Sequence, residues 1–153
     1  MIFMVTTNRH IWEIGIDFNC EFQKFKGSTN KFVISGKPID ETNVKYKSTY
    51  HEVEITDKRE IGELFDIIKF VPGKHKEMAH CMCVGNVFVT MTNNENKETL
   101  KMSIHHCERI RNSIFSTRRR FGITPTNEND AELSNESKVS LRKYLISKNI
   151  QAD

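Results

Sequence analysis

The residues best suited to chemistry are concentrated in two short segments of the chain. The first, His80–Cys83, reads HCMC, and the second, Ile104–Cys107, reads IHHC. Thiolate and imidazole are the usual ligands of zinc, so the two segments indicate a metal site if the fold brings them side by side. A thiol beside an imidazole is also the pairing of a thiol nucleophile, which needs a lowered pKa and some exposure.

The register of a predicted hairpin decides which of these residues share a face. Apolar residues alternate over 87–91 and 100–104, and a polar turn separates the two runs. If Cys83 opposed His105, with Cys81 opposite Cys107, four ligands would share one face. The apolar residues favour a different register, because losing the burial of three of them would cost about 1.5–3 kcal/mol each. Its pairs are Met91 with Leu100, Val89 with Met102, and Val87 with Ile104.

When the favoured register is continued beyond the pair Val87 and Ile104, Gly85 lies opposite His106. This register predicts Cys81, Cys83 and His106 on the inner face, and His80, Met82, His105 and Cys107 on the outer face. The inner three are candidate ligands for a metal, with zinc the expected ion, and a closed site would need a fourth ligand from elsewhere. The alternative interpretation is that both cysteines are small buried hydrophobic residues and that the histidine is hydrogen-bonded at the edge of the core.

The elements that would position these residues indicate an α+β fold, an antiparallel sheet of meanders and hairpins packed with two main helices. The helices are expected over about 57–69, with Asp57 as N-cap, and over about 135–148, with Ser134 or Asn135 as N-cap. Val139 and Ile146 lie nearly opposite the apolar stripe of the second helix, so this helix is expected to be contacted on two sides. Strands are expected over 11–25, from Phe32 to Gly36, and over 44–55, 79–91, 98–107 and 109–115, whereas 116–134 reads as a long loop.

Length and composition predict one domain over residues 1–153. Within it, residues 1–43 are expected to form an N-terminal β meander annex and residues 44–150 the α+β core. Leu, Ile, Val and Phe make up about a quarter of the chain, above the roughly 20% below which chains tend to stay disordered. A chain of this length needs neither a disulfide nor a metal to fold. No apolar run is long enough to span a membrane, no signal peptide is visible, and a cytoplasmic location with reduced cysteines is expected.

The charge of the chain is mildly basic, with a net charge of +3 and a pI of about 8.7. Residues 101–120 carry six basic residues and one acid, and residues 123–137 carry four acids and no base. Arg118, Arg119 and Arg120 precede Phe121, and this run could contact phosphates and stack on an unpaired base. The simpler interpretation is a solvated surface, because charge blocks usually lie at solvated faces.

The stretch from about 50 to 150 resembles a widespread, uncharacterised family of small bacterial proteins. Those chains run from a strand and a capped helix to C-M-C-x-G, a short hairpin, H-H-G and a final helix that closes near W-L-x-x-x-G-V or -I. Here 81–85 match the first motif, His105 and His106 match the second, and 144–150 match the close. Cys107 stands where the family has Gly. The resemblance implies a fold unit in a bacterial cytoplasm and no particular activity.

No pattern of an assembled active site accompanies these motifs. The chain contains no Walker A sequence, no G-x-G-x-x-G, no G-x-S-x-G and no H-E-x-x-H. We therefore expect a non-catalytic module that binds another protein through its sheet face or the 116–134 loop, as immunity proteins and inhibitors do, without identifying catalytic residues. The two alternatives are a metal- or thiol-dependent protein using Cys81, Cys83 and His106, and a weak nucleic-acid binder using Arg118–Arg120. The sequence leaves the oligomeric state open.

Overall fold

The computed structural model describes residues 18–40, 50–71, 85–93, 95, 99–112 and 130–153. Within these ranges the chain forms an antiparallel sheet and three helices, which confirms the α+β class. The strands are β1 (Lys31–Gly36), β2 (His51–Ile55), β3 (Val87–Thr92), β4 (Thr99–His105), β5 (Arg109–Asn112) and β6 (Asp130–Glu132). The helices are α1 (Phe18–Gln23), α2 (Lys58–Ile67) and α3 (Asn135–Ser147).

The described strands form one sheet in the order β2-β1-β3-β4-β5-β6, with every neighbouring pair antiparallel. β1 lies between β2 and β3, so residues 31–36 belong to the central sheet. The expected strand from Phe32 to Gly36 is confirmed. The expected loop over 116–134 is wrong at its end, where β6 pairs with β5 and buries Ala131.

Alternation along the strands gives the sheet two faces. The inner face packs against the helices and carries one continuous apolar core, because every second residue of β1, β3 and β4 points to it. The outer face carries mostly polar residues and charged residues of both signs, together with the aromatic Phe88. The core residues of the inner face are Phe32, Ile34, Val53, Ile55, Val87, Val89, Met91, Leu100, Met102, Ile104, Ile110 and Ala131.

Both main helices begin at the expected caps. The carboxylate of Asp57 accepts a hydrogen bond from the backbone N–H of Glu60, at 2.9 Å, and the Ser134 hydroxyl accepts one from the N–H of Ser137, at 3.2 Å. Each cap satisfies an N–H group that would otherwise lack a partner at the helix start. α2 and α3 thus lie at 58–67 and 135–147, within the expected ranges.

The expected strand over 11–25 is wrong where the structure describes it, because 18–23 form α1. In a helix, Asn19, Phe22 and Gln23 share one face. The Phe22 ring packs 4.8 Å from the Phe65 ring, and the side chains of Asn19 and Gln23 hydrogen-bond to the backbone of Phe70 and Phe65. These contacts with α2 and the segment after it outweigh the alternating pattern. Residues 11–17 lie outside the described ranges.

Candidate site at the end of the hairpin and on the outer helix side

The register of the β3–β4 hairpin is the one that the apolar residues predict. Met91 pairs with Leu100, Val89 with Met102, and Val87 with Ile104. All six side chains are buried in the core. The alternative register, which would gather four ligands on one face, is therefore excluded for the described part of the hairpin.

The extension of that register to the residues after β4 is wrong. β4 ends at His105, and His106 and Cys107 both adopt left-handed backbone conformations, with φ of 51° and 55°. The backbone N–H of Glu108 donates to the carbonyl of His105 at 2.9 Å, which closes a tight turn. Because the backbone is no longer extended, the two-residue alternation of faces stops at this turn.

The turn reverses the predicted burial of two candidate residues. His106, expected on the inner face, is exposed, and Cys107, expected on the outer face, is completely buried. Burial raises the pKa of the Cys107 thiol to about 11. A protonated, inaccessible thiol is a poor nucleophile and a poor metal ligand, so this cysteine acts as a small core residue.

Gly85 brings the first motif against the second. Its φ is +95°, and a Cβ at this position would lie 3.0 Å from Cβ of Ser103 and 3.2 Å from the carbonyl oxygen of Ile104. The position therefore requires glycine for both its backbone conformation and its close approach to β4. A Cβ would also lie 3.4 Å from Nε2 of His105, so the end of C-M-C-x-G lies beside the first histidine of the second motif.

Asn86 ties this corner to the C-terminal residues. Its backbone N–H donates to the carbonyl of Ile104 at 3.1 Å, and its Oδ1 accepts from the N–H of His106 at 3.1 Å. Its Nδ2 donates to the carbonyl of Ala152 at 2.9 Å. Sequence reasoning did not single out this residue, although Gly-Asn directly before a strand is a turn signal.

The remaining candidates of the sequence analysis are not among the described residues. Cys81 and Cys83 lie outside those ranges, as do Arg118, Arg119 and Arg120. In the ranges given above, no group of three or more His, Cys, Asp or Glu residues is arranged to hold a metal ion. The metal site with Cys81, Cys83 and His106 and the basic contact patch stay predictions.

The side of α3 that faces away from the sheet carries exposed aliphatic residues. Val139 is 56% exposed and Ile146 is 53% exposed, whereas Leu141 and Leu145 on the opposite side are buried. Lys143 lies between the two exposed residues along the helix surface, at the i, i+4, i+7 spacing that keeps residues on one face. We call Val139, Lys143 and Ile146 the outer stripe of α3.

A further aliphatic residue lies near the C-terminal end of this stripe. Ile39 is 49% exposed, and its backbone N–H donates to the carbonyl of Asn149 at 3.3 Å. The Asn149 side chain also bonds to Asp40, accepting from its N–H and donating to its carbonyl. Sequence reasoning did not find Ile39, because its link to α3 is made through contacts more than a hundred residues apart.

The comparisons with known proteins give no relative. The sequence matches no model of a known protein family, and no curated protein and no solved structure is significantly similar to it. Among the described helices, none is both long and apolar enough to cross a membrane.

Proposed function

We propose that the chain is a non-catalytic cytoplasmic module that binds another protein through the outer stripe of α3, in the manner of immunity proteins and inhibitors. The observation that carries the proposal is the exposure of Val139 and Ile146, each more than half exposed, on a helix whose other side is fully engaged in the core. Single exposed aliphatic residues are ordinary, but a pair on one helix face is the pattern by which helices dock.

The size of the stripe suits a small helical or extended partner segment. Ile146 lies seven positions after Val139, which is about 10 Å along the helix axis. Ile39 extends the apolar surface beyond the C-terminal end of α3 through its hydrogen bond with Asn149. The partner therefore needs two or three apolar side chains spaced over about three helical turns.

The charges of α3 indicate that the partner is acidic. Lys138 pairs with Glu132, Arg142 with Asp153, and Lys148 with Glu60. Lys143, at the centre of the stripe, is exposed and makes no ion pair within the described ranges. A carboxylate between the apolar side chains of the partner would complement this ammonium group and set the orientation of docking.

The same lysine disfavours a second copy of this chain as the partner. Two α3 helices packed antiparallel on this face, with Val139 of each near Ile146 of the other, would bring their Lys143 ammonium groups close together. Like charges at the centre of an interface oppose association. A different protein with a carboxylate at that place is the favoured occupant.

A photo-crosslinking experiment tests this proposal in the cells that produce the protein. Benzoylphenylalanine replaces Val139 or Ile146, and a control variant carries it at Glu54, which is exposed on the outer face of the sheet. We expect one acidic partner to be captured from both α3 positions and not from position 54. That partner, purified, should bind the intact chain and lose at least about tenfold in affinity with Ile146→Ser or Lys143→Glu.

Three outcomes would overturn the proposal. Equal capture at position 54 would show unspecific contact. Crosslinks between copies of the chain would identify a homodimer. Unchanged affinity of the captured partner for both substituted chains, with folding verified by circular dichroism, would place the contact elsewhere.

The second candidate function is metal- or thiol-dependent and uses Cys81, Cys83 and His106. The close approach of the Gly85 backbone to β4 favours it, because this approach brings the end of the first motif near the second motif. Elemental analysis of freshly purified protein without a tag tests it. We expect close to one zinc per chain and a loss of stability in chelator if the site exists, and less than about 0.1 zinc or iron per chain would exclude it.

A further inference from the structure

The outer face of the sheet gathers four polar side chains where β4 and β5 pair. Ser103 lies directly opposite Arg111, and His105 directly opposite Arg109. Side chains of directly opposed residues in antiparallel strands share a face, with Cβ atoms about 4.5–5.5 Å apart. The Cβ atoms of these four residues therefore lie at the corners of a small square on the outer face. We call Ser103, His105, Arg109 and Arg111 the square.

Among these four side chains, Arg109 is the one whose positive charge is available to bind an anion. It is half-buried and makes no ion pair with any carboxylate among the described residues. Its neighbour across the β5–β6 pair is Glu132, but the carboxylate of Glu132 lies 3.3 Å from the ammonium group of Lys138. A guanidinium group offers a planar fork of donors that matches the oxygens of a phosphate.

The serine and histidine add a neutral donor to the same place. The hydroxyl of Ser103 lies 3.0 Å from Nε2 of His105, a residue that is only 4% exposed. When a proton is on Nε2, the imidazole donates to Ser103 Oγ, and the hydroxyl hydrogen is then available to a ligand oxygen. Ser103 itself is half-buried and reaches the surface of the sheet.

Aromatic rings border the square on its other side. Phe88 of β3 is the direct partner of Ser103, and the ring of Tyr50 packs edge-on against it, with centroids 6.2 Å apart. Tyr50 is 37% exposed. Phe88 and Ser103 are direct neighbours on adjacent strands, so a base against these rings would lie close to the Ser103 hydroxyl.

We infer that this outer face of β3, β4 and β5 binds a nucleoside monophosphate. The phosphate lies against Arg109 and accepts from the Ser103 hydroxyl. The base lies against Phe88 and Tyr50, since aromatic rings provide stacking surfaces for bases. The site is on the opposite side of the sheet from α3, so it is independent of the protein-binding surface.

Isothermal titration of the full chain tests the inference with three probes: adenosine 5′-monophosphate, inorganic phosphate and adenosine. We expect the nucleotide to bind more tightly than either of its parts, because only it uses both the basic and the aromatic groups. Arg109→Gln should weaken nucleotide binding by about tenfold or more. The matched control Lys143→Gln removes the same charge from α3 and should change the affinity less than twofold.

The aromatic half of the site has its own variant. Tyr50→Leu, at a partly exposed position, should weaken binding of the nucleotide by several-fold and leave binding of inorganic phosphate unchanged. If Arg109→Gln and Lys143→Gln lowered the nucleotide affinity equally, the effect would come from the net charge of the chain, and the inference would be overturned. Equal affinity for phosphate and nucleotide, or no binding at millimolar concentration with the chain folded, would also overturn it.

Discussion

The two sides of α3 consist of neighbouring residues in the sequence, but they differ in packing and in exposure to solvent. On the inner side, Leu141 and Leu145 are fully packed and Ser137 is hydrogen-bonded to the end of α2. On the outer side, Val139 and Ile146 carry the same kind of aliphatic groups into solvent. The apolar residues of the inner side contribute to the folded core, whereas those of the outer side make no comparable packing contacts among the described residues.

This difference separates stability from binding within a single helix. Substitutions on the inner side remove burial and internal hydrogen bonds, so they should lower the free energy of unfolding. Substitutions on the outer side remove little of either, so they should leave folding nearly unchanged. Neighbouring residues of α3 therefore provide matched pairs for testing the comparison.

The largest expected effect comes from the neighbours Leu145 and Ile146. Leu145→Ala should lower the free energy of unfolding by about 2–5 kcal/mol, because it leaves a cavity in the core. Ile146→Ala should lower it by less than about 0.5 kcal/mol. Urea denaturation of both variants measures the two values, and similar losses would mean that both sides of α3 are packed.

The next effect concerns the serine that joins α3 to α2. The Ser137 hydroxyl donates to the carbonyl of Ile67 at 2.6 Å and accepts from the N–H of Lys69 at 2.9 Å. Ser137→Ala would leave both backbone groups without this partner and should cost about 1–3 kcal/mol. Ser140→Ala, one turn further along the same helix, is the control and should be close to neutral. A neutral Ser137→Ala would mean that water replaces the hydroxyl.

A smaller, pH-dependent effect is expected at the flank of α3. Glu60 of α2 bonds with Lys148 and accepts from the Tyr144 hydroxyl, at 2.8 Å. The bond with Lys148 and, to a smaller extent, the bond with Tyr144 lower the pKa of Glu60 below its usual 4.5. Burial and this carboxylate raise the pKa of Tyr144, which therefore stays protonated as a donor.

A lowered pKa in the folded state means that the carboxylate contributes stability above its unfolded pKa and loses it as the pH falls through the folded value. At about pH 7, Glu60→Gln should therefore cost about 1 kcal/mol. The cost should diminish towards zero once the pH has fallen well below 4.5. Glu63→Gln, which breaks only the exposed pair with Arg59, should show little loss at either pH. A cost that did not change with pH would argue against the charged interaction.

The smallest expected change in stability belongs to the outer stripe. The double variant Val139→Ser and Ile146→Ser should shift the midpoint of thermal unfolding by no more than about 2–4 °C, equivalent to about 1 kcal/mol. A larger decrease would show that these side chains pack against another part of the chain, and the comparison between the two sides would fail.

The central hairpin could be predicted from the sequence because its backbone stays extended. Over 87–91 and 100–104, one face is buried, and a slip by one residue would turn the three apolar side chains of one strand to the other face. Local pattern and burial therefore require the same register. The caps Asp57 and Ser134 were predictable for a similar reason, because each acts within three residues of its own position.

The sequence did not predict the structure where the backbone leaves regular strand geometry. It also did not predict the structure where contacts between distant residues determine the secondary structure. Two consecutive left-handed residues, His106 and Cys107, are uncommon outside glycine and asparagine, so the alternation of β4 was extended too far. In α1, Phe22 alternates as in a strand, yet its contacts with Phe65 and Phe70 belong to a helix. Such contacts link residues more than forty positions apart and leave no local signal.

The affinity of the partner captured at position 146 for the Lys143→Glu chain tests the proposed function most directly. We expect a loss of at least about tenfold relative to the unaltered chain, with the same thermal midpoint, and a recovery when the facing carboxylate of the partner is replaced by lysine. Unchanged affinity with Lys143→Glu would contradict the assignment of the outer stripe of α3 as the binding surface.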